Sequence, residues 1–279
     1  MSTGSYEDHC PFDCDPVQFG RTILDLKSAV ADAVHCSVIC GCIWGFVILY
    51  VNESMNPATI PTVVEDLQGD GRWISMHKRF LIETKEKEPD VVFIGDSLIQ
   101  RLVHTEMWNN FFAPMHALNF GIGGDQIQNV LWRIENGELD NISPKVVVVL
   151  VGTNNFNCTA EQIAEGIMEL VRVIREKQPD AYIVLPTLLP RGQNPNPLRE
   201  RNAEVNKLVH SKVSAMPKCE IVAIDKGFIQ PDGTISHHDM HDYLHLTNSG
   251  YSKAFEPVYE LLLQLLSEGE TEKDLTPSE

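Results

Sequence analysis

The sequence predicts an α/β fold: a three-layer α/β/α, flavodoxin-like domain built on a five-stranded parallel sheet. Three observations lead there. Short β-branched runs recur from residue 91 onward, and stretches with helical 3 and 4 spacing separate them. The run Val146-Val-Val-Val-Leu-Val151 is apolar on both faces, as a central parallel strand covered by helices must be.

Taken in order, the expected strands are Val91–Ile94, Ala117–Phe120, Val146–Val151, Tyr182–Leu185 and Ile221–Ile224. Between the second and third, Ile127, Val130, Leu131 and Ile134 form one apolar stripe. Between the third and fourth, Ile163, Ile167, Leu170, Val171 and Ile174 form another, opened by Thr159 with Gln162 three places on, the signature of a capping box. Tyr251–Leu266 reads as a closing helix kinked at Pro257. Residues 268–279 read as a disordered acidic tail.

Composition bounds the function. The chain has 279 residues, is 43% apolar and carries a formal net charge of −17, long and apolar enough for a large core. A sequence pI of about 4.9 argues against a nucleic-acid groove, which needs clustered Lys and Arg to replace counterions along phosphates. The charge is unevenly spread. Residues 1–54 hold seven acids against Arg21 and Lys27, and the tail holds five acids against Lys273, so residues 55–267 carry only −8. Cys10, Cys14, Cys36, Cys40 and Cys42 fall in the leader, whereas the rest holds only Cys158 and Cys219. The body reads as a reduced, cytoplasmic domain without a disulfide framework.

The leader is foreign to the body. Ala33–Val51 is a nearly unbroken apolar run whose helical length, about 28 Å, approaches that of a hydrocarbon core. Residues 1–54 are therefore expected to be either a membrane anchor through 33–51 or a variant leader ahead of a domain that begins at Met55. Arg21 and Lys27 ahead of the run would leave the body outside the cytosol, against its low cysteine content.

Open parallel sheets bind ligands beyond the carboxyl ends of their strands, and the residues there are polar. Gly95-Asp96-Ser97 follows the first run, Gly121-Ile-Gly-Gly124 the second, and Gly152-Thr153-Asn154-Asn155 the third; Asp239-Met-His241-Asp242-Tyr-Leu-His245 precedes the closing helix. Ser97 at a helix start is a candidate nucleophile, with His245 as base and Asp242, three residues away, as the carboxylate that orients it. The Ser97 N–H, the Gly124 N–H and the Asn154 amide supply an oxyanion hole. A dinucleotide site is disfavoured because Gln126 stands where that fingerprint needs glycine, and no phosphate loop of the G-x-x-x-x-G-K-[ST] type is present.

These four blocks resemble the SGNH (GDSL-type) hydrolases. The words around them, VVFIGDSLIQ, HALNFGIGGD, VLWRIENGEL, VGTNN, LLPRGQNPNPLRE and SHHDMHDYLHLT, resemble the catalytic-subunit family of platelet-activating factor acetylhydrolase IB from about Asn56 to Leu266. The resemblance implies a serine esterase acting on the sn-2 acetyl ester of ether phospholipids, with Ser97, Asp242 and His245 as triad. It implies Leu98, Thr153 and Leu244 as walls of the acyl pocket, no metal or other cofactor, homo- or heterodimers, and a lissencephaly-1-like WD-repeat partner. The extension through Ser54 has no family counterpart. Leu150 stands where Trp is expected, Pro186-Thr187 replaces a Leu-Gly-like pair, and His241 takes an aromatic position.

Three other readings remain open at the level of sequence. The substrate could be another short-acyl ester or thioester, since the catalytic blocks do not encode the leaving group. The chain could serve mainly as a scaffolding subunit. His238, His241 and His245, at i, i+3 and i+7, could line a helical face as metal ligands with Asp239 or Asp242.

Overall fold

In the computed structural model, residues 55–274 are described, side chains through 268. β1 (Val91–Gly95) follows a polar turn and is buried along its whole length. β2 (Ala117–Gly121), β3 (Val146–Leu150), β4 (Tyr182–Pro186) and β5 (Cys219–Val222) complete a five-stranded sheet of order β2-β1-β3-β4-β5 in which every pairing is parallel. β3 is as fully buried as β1, as its all-apolar sequence requires.

Among the described residues six α-helices serve this sheet: α1 (Arg72–Glu86), α2 (Ser97–Leu102), α3 (Ile127–Arg133), α4 (Ala160–Lys177), α5 (Pro197–Val213) and α6 (Asn248–Asp274). The chain steps from β1 outward to β2, then back past β1 to β3, β4 and β5. Right-handed crossovers therefore put α2 on one face and α3, α4 and α5 on the other. α3 packs on α4 and α4 on α5. On the opposite face the Tyr251 hydroxyl of α6 donates to the Leu98 carbonyl of α2 at 2.8 Å.

Local chemistry sets the element starts. Thr159 and Gln162 form the expected reciprocal cap of α4, at 3.2 and 3.0 Å, and its five stripe residues are buried. The reversal of strand order lies between β1 and β3, so the ligand crevice of such a sheet opens beyond Gly95 and Leu150, which stand opposite each other. Two glycines make room there. A Cβ at Gly95 would overlap the Leu150 carbonyl oxygen, and one at Gly121 would overlap the backbone of Gln100 in α2.

Several expectations shift. β5 occupies Cys219–Val222 rather than 221–224, because the Ile224 and Asp225 N–H groups turn to the Thr187 hydroxyl instead of the ladder. α6 begins at Asn248, ahead of Tyr251, since the Thr247 hydroxyl and carbonyl accept from Gly250 and Tyr251. It also continues through Asp274, so the first half of the segment expected as a disordered tail is helical; Glu and Lys favour the helix, and Gln264 Nε2 donates to Glu268 Oε1 one turn on. Residues 275–279 lie outside the described residues. α1 and α5 have no counterpart among the expected elements. Their buried stripes are interrupted by His77 and Thr84 in α1 and by Arg199 and Asn202 in α5, which erases the apolar period. Cys158 and Cys219 are free and buried. Among the described residues no helix is long and apolar enough to cross a membrane; the run 33–51 lies outside them.

Candidate active site

The site begins where β1 meets α2. Asp96 is the N-cap, its carboxylate accepting from the Leu98 N–H at 2.9 Å. Ser97 is therefore the first helical residue and its hydroxyl is not consumed by capping. Ser97 Oγ lies 3.0 Å from His245 Nε2.

His245 is held by a tight loop between Met240 and Leu246, which form an isolated antiparallel bridge. Tyr243, at φ 58°, makes the reversal in the left-handed region, a strained conformation for an aromatic residue. Inside the loop Asp242 Oδ1 accepts from the Leu244 and His245 N–H groups at 3.1 and 2.7 Å, while Oδ2 accepts from His245 Nδ1 at 2.6 Å. Desolvation pushes the Asp242 carboxyl up, but these hydrogen bonds and the imidazole outweigh it and hold the pKa at about 2. An ionised Asp242 can only accept, so Nδ1 carries the proton and Nε2 is left to accept the Ser97 hydroxyl proton.

The oxyanion-hole candidates sit on two neighbouring loops. Gly124 is at φ 87° with open space where a Cβ would stand, and the adjacent Gly123 comes so near that its own Cβ would lie 3.7 Å from Ser97 Cβ. Asn154 is buried; one N–H of its amide donates to the Asp125 carbonyl at 3.0 Å. That bond fixes the amide plane and leaves the second N–H for a ligand. Of the acyl-wall candidates, Leu98 and Thr153 are buried and Leu244 is half-buried beside His245.

Beneath these loops lies a charged network that carries no periodic sequence signal. Arg133, wholly buried, donates from Nε to Asp125 Oδ2 at 2.9 Å, from Nη1 to Glu138 Oε2 at 2.5 Å and from Nη2 to the Gly95 carbonyl at 3.3 Å. Trp73 Nε1 donates to Asp125 Oδ1 at 2.7 Å, and His77 Nδ1 pairs with Glu138 Oε1 at 2.9 Å. Desolvation raises Asp125 to about 6 against the pull of Arg133. Asp96 is raised further, to about 7, by burial and by the charge of Asp125, opposed by the Leu98 N–H and by Arg191.

The segment expected to carry a histidine helical face is a turn rather than a helix, so His238, His241 and His245 do not share one face as metal ligands. His241, Asp242 and His245 do offer ligand atoms within 4.8 Å of one another. Both nitrogens of His245 are already engaged, by Ser97 and Asp242, so an ion there would have to break the relay.

Residues 93–253 match the GDSL-like Lipase/Acylhydrolase family. The chain belongs to that family. It is 56% identical over 225 residues, 81% of this chain and all of the relative, to the platelet-activating factor acetylhydrolase IB subunit beta homolog of Drosophila melanogaster. It is likewise 56% identical over 213 residues, 76% of this chain and 92% of the relative, to the human platelet-activating factor acetylhydrolase IB subunit alpha1. A GDSL-like lipase from Bacteroides thetaiotaomicron shares the fold with a TM-score of 0.56 at 19% identity, covering 69% of this chain and 98% of that one. The protein is accordingly a carboxylic ester hydrolase of the GDSL-like family.

Proposed function

We propose that the protein hydrolyses the sn-2 acetyl ester of platelet-activating factor and related ether phospholipids through an acetyl-Ser97 intermediate. The observation that carries the reading is the continuous chain from Ser97 Oγ to His245 Nε2, 3.0 Å, and from His245 Nδ1 to Asp242, 2.6 Å. In the first step Ser97 Oγ bonds the acetyl carbon as His245 Nε2 takes its proton. The N–H groups of Ser97 and Gly124 and the Asn154 amide hold the oxyanion. Collapse breaks the bond to the lysophospholipid oxygen, which leaves with the proton from His245. Water, deprotonated by His245, then attacks the acetyl carbon; acetate departs and Ser97 recovers its proton.

The buried Leu98 and Thr153 and the half-buried Leu244 support a short acyl pocket, in which each added methylene is penalised by overpacking. The subunit names of both relatives support a subunit of a multi-subunit enzyme; pairing with itself or a sister chain and docking on a lissencephaly-1-like WD-repeat partner rest on the resemblance of the sequence words. Both match at 56%, so the finer assignment to the alpha-1 (gamma) kind rests on the sequence words alone. We assign residues 55–267 to the hydrolase domain, 1–54 to a leader and 268–279 to an acidic extension. We place the enzyme in the cytoplasm; the alternative is anchorage through 33–51.

The test is acetate release from 1-alkyl-2-acetylglycerophosphocholine by the wild type and by Ser97→Ala. Release that vanishes in the variant agrees with the reading, and equal rates refute it. Release from 4-nitrophenyl acetate alone would keep the mechanism and replace the substrate with another short-acyl ester.

A further inference from the structure

The word LLPRGQNPNPLRE contributes nothing to the triad or the oxyanion donors, yet the structure threads it between them. Arg191 Nη1 donates to both the carbonyl oxygen and the hydroxyl of Thr153, each at 3.0 Å, one residue before Asn154. The next residue, Gly192, donates its N–H to the Tyr243 carbonyl at 2.8 Å, inside the loop that carries Asp242 and His245. The crossing is itself anchored. Asn196 Nδ2 donates to the Arg191 carbonyl at 2.7 Å, and the Arg199 guanidinium donates to the Gly192, Gln193 and Gly233 carbonyls.

The guanidinium is not spent on an ordinary ion pair. Among the described residues no carboxylate lies within 4.0 Å of Arg191, while burial lowers its pKa and the charges of Asp96 and Asp242 raise it. Its Cζ rests 5.1 Å from the centre of the Phe156 ring, whose residue is 53% exposed. A half-buried cation whose direct partners are neutral acceptors carries a desolvation cost, and here that cation ties down the residue next to Asn154. Asn154 has to aim an amide N–H at an oxyanion within a few tenths of an ångström, and such aim depends on what holds the loop.

We propose that Arg191 is a positioning residue that locks the Thr153–Asn154 loop to the Tyr243–His245 loop, and so sets both the oxyanion donor and the acyl wall. The proposal rests on the site roles given above, but not on the identity of the leaving group. It predicts two effects together. Losing the clamp lowers the rate of acyl transfer and relaxes the preference for two-carbon acyl groups, because Thr153 is freed along with Asn154.

The experiment uses the full chain and paired neutral substrates, 4-nitrophenyl acetate and 4-nitrophenyl butyrate, with Arg191→Ala, Arg191→Lys and Ser97→Ala. For Arg191→Ala we expect kcat on the acetate to fall tenfold or more with a smaller change in KM, and the butyrate-to-acetate ratio of kcat/KM to rise at least threefold. Arg191→Lys keeps a charged nitrogen with enough hydrogens for both Thr153 acceptors and should recover most of both effects. A wild-type ratio and kcat in folded Arg191→Ala would overturn the proposal. So would an equal loss on both esters that Lys fails to rescue and that follows a lowered Tm, the signature of a merely structural residue. If Arg191→Ala does not fold, Arg191→Lys and Arg191→Gln carry the comparison: glutamine, with one amide donor and no charge, should show the raised ratio and lysine should not. Turnover of both nitrophenyl esters that persists in Ser97→Ala would mean the site reading itself had failed, separately from the clamp.

Discussion

Ser97, His245 and Asp242 form an ordered relay because each is held by something else. The Asp96 cap leaves the serine hydroxyl free, the Asp242 carboxylate fixes the imidazole tautomer, and two backbone N–H groups fix Asp242. The same logic predicts what Asn154 is worth. With Asn154 in its proposed role as an oxyanion donor, Asn154→Ala should lower kcat on an acetyl ester about 10²–10³-fold with KM nearly unchanged, as steady-state kinetics would record. Asp96 gives a pH prediction. Its folded pKa, about 7, lies above the 3.8 of an ordinary aspartate, so between those values the native state binds the extra proton and stability falls as pH rises. Asp96→Asn retains the capping oxygen without the charge. Its Tm should exceed that of the wild type at pH 8, by the equivalent of a few kcal/mol (order of magnitude), and the gap should narrow towards pH 5; a gap independent of pH would contradict the burial argument. As candidates for the triad, Ser97, Asp242 and His245 were legible in the sequence because each sits at a strand end or in a polar cluster. Arg191, Arg133 and Glu138 were not, since a buried charge amid apolar runs leaves no period and its partners lie far away in the chain.

At the scale of elements, the sheet was legible wherever strands are buried on both faces. β1 and β3 lie where their apolar runs place them, whereas the edge strand β5, with Glu220 exposed, slid by two residues. The helices follow the same rule: α4, with an apolar stripe and a capping box, was readable, and α1 and α5, whose buried faces include polar side chains, were not. Close approach of α2 to the ends of β1 and β2 depends on glycine. Gly121→Ala would drive its methyl group into the Gln100 backbone, and backbone cannot move aside as a side-chain tip can. Thermal melts should show the variant destabilised by at least about 1–3 kcal/mol, with esterase activity lost alongside because α2 carries Ser97. A variant with wild-type Tm and activity would show that the junction is looser than described.

Across the whole molecule, strand order decides where chemistry happens. The reversal between β1 and β3 opens one crevice; Ser97, Thr153 and Asn154 follow the two strands that border it, and Gly124 follows β2, the next strand beyond β1. His245 reaches it from the loop ahead of α6. The net charge of −17 shapes none of this directly; it is concentrated in the flanks, and the domain between them is only moderately acidic. The central claim, that this crevice performs acyl transfer through Ser97, is most directly tested by quenching the enzyme during turnover of an acetyl ester and mapping the acetyl group by peptide mass spectrometry. The account predicts one acetyl group on the peptide containing Ser97, absent from Ser97→Ala. Rapid turnover with no acetylated Ser97 at any quench time, or turnover that survives Ser97→Ala, would contradict it.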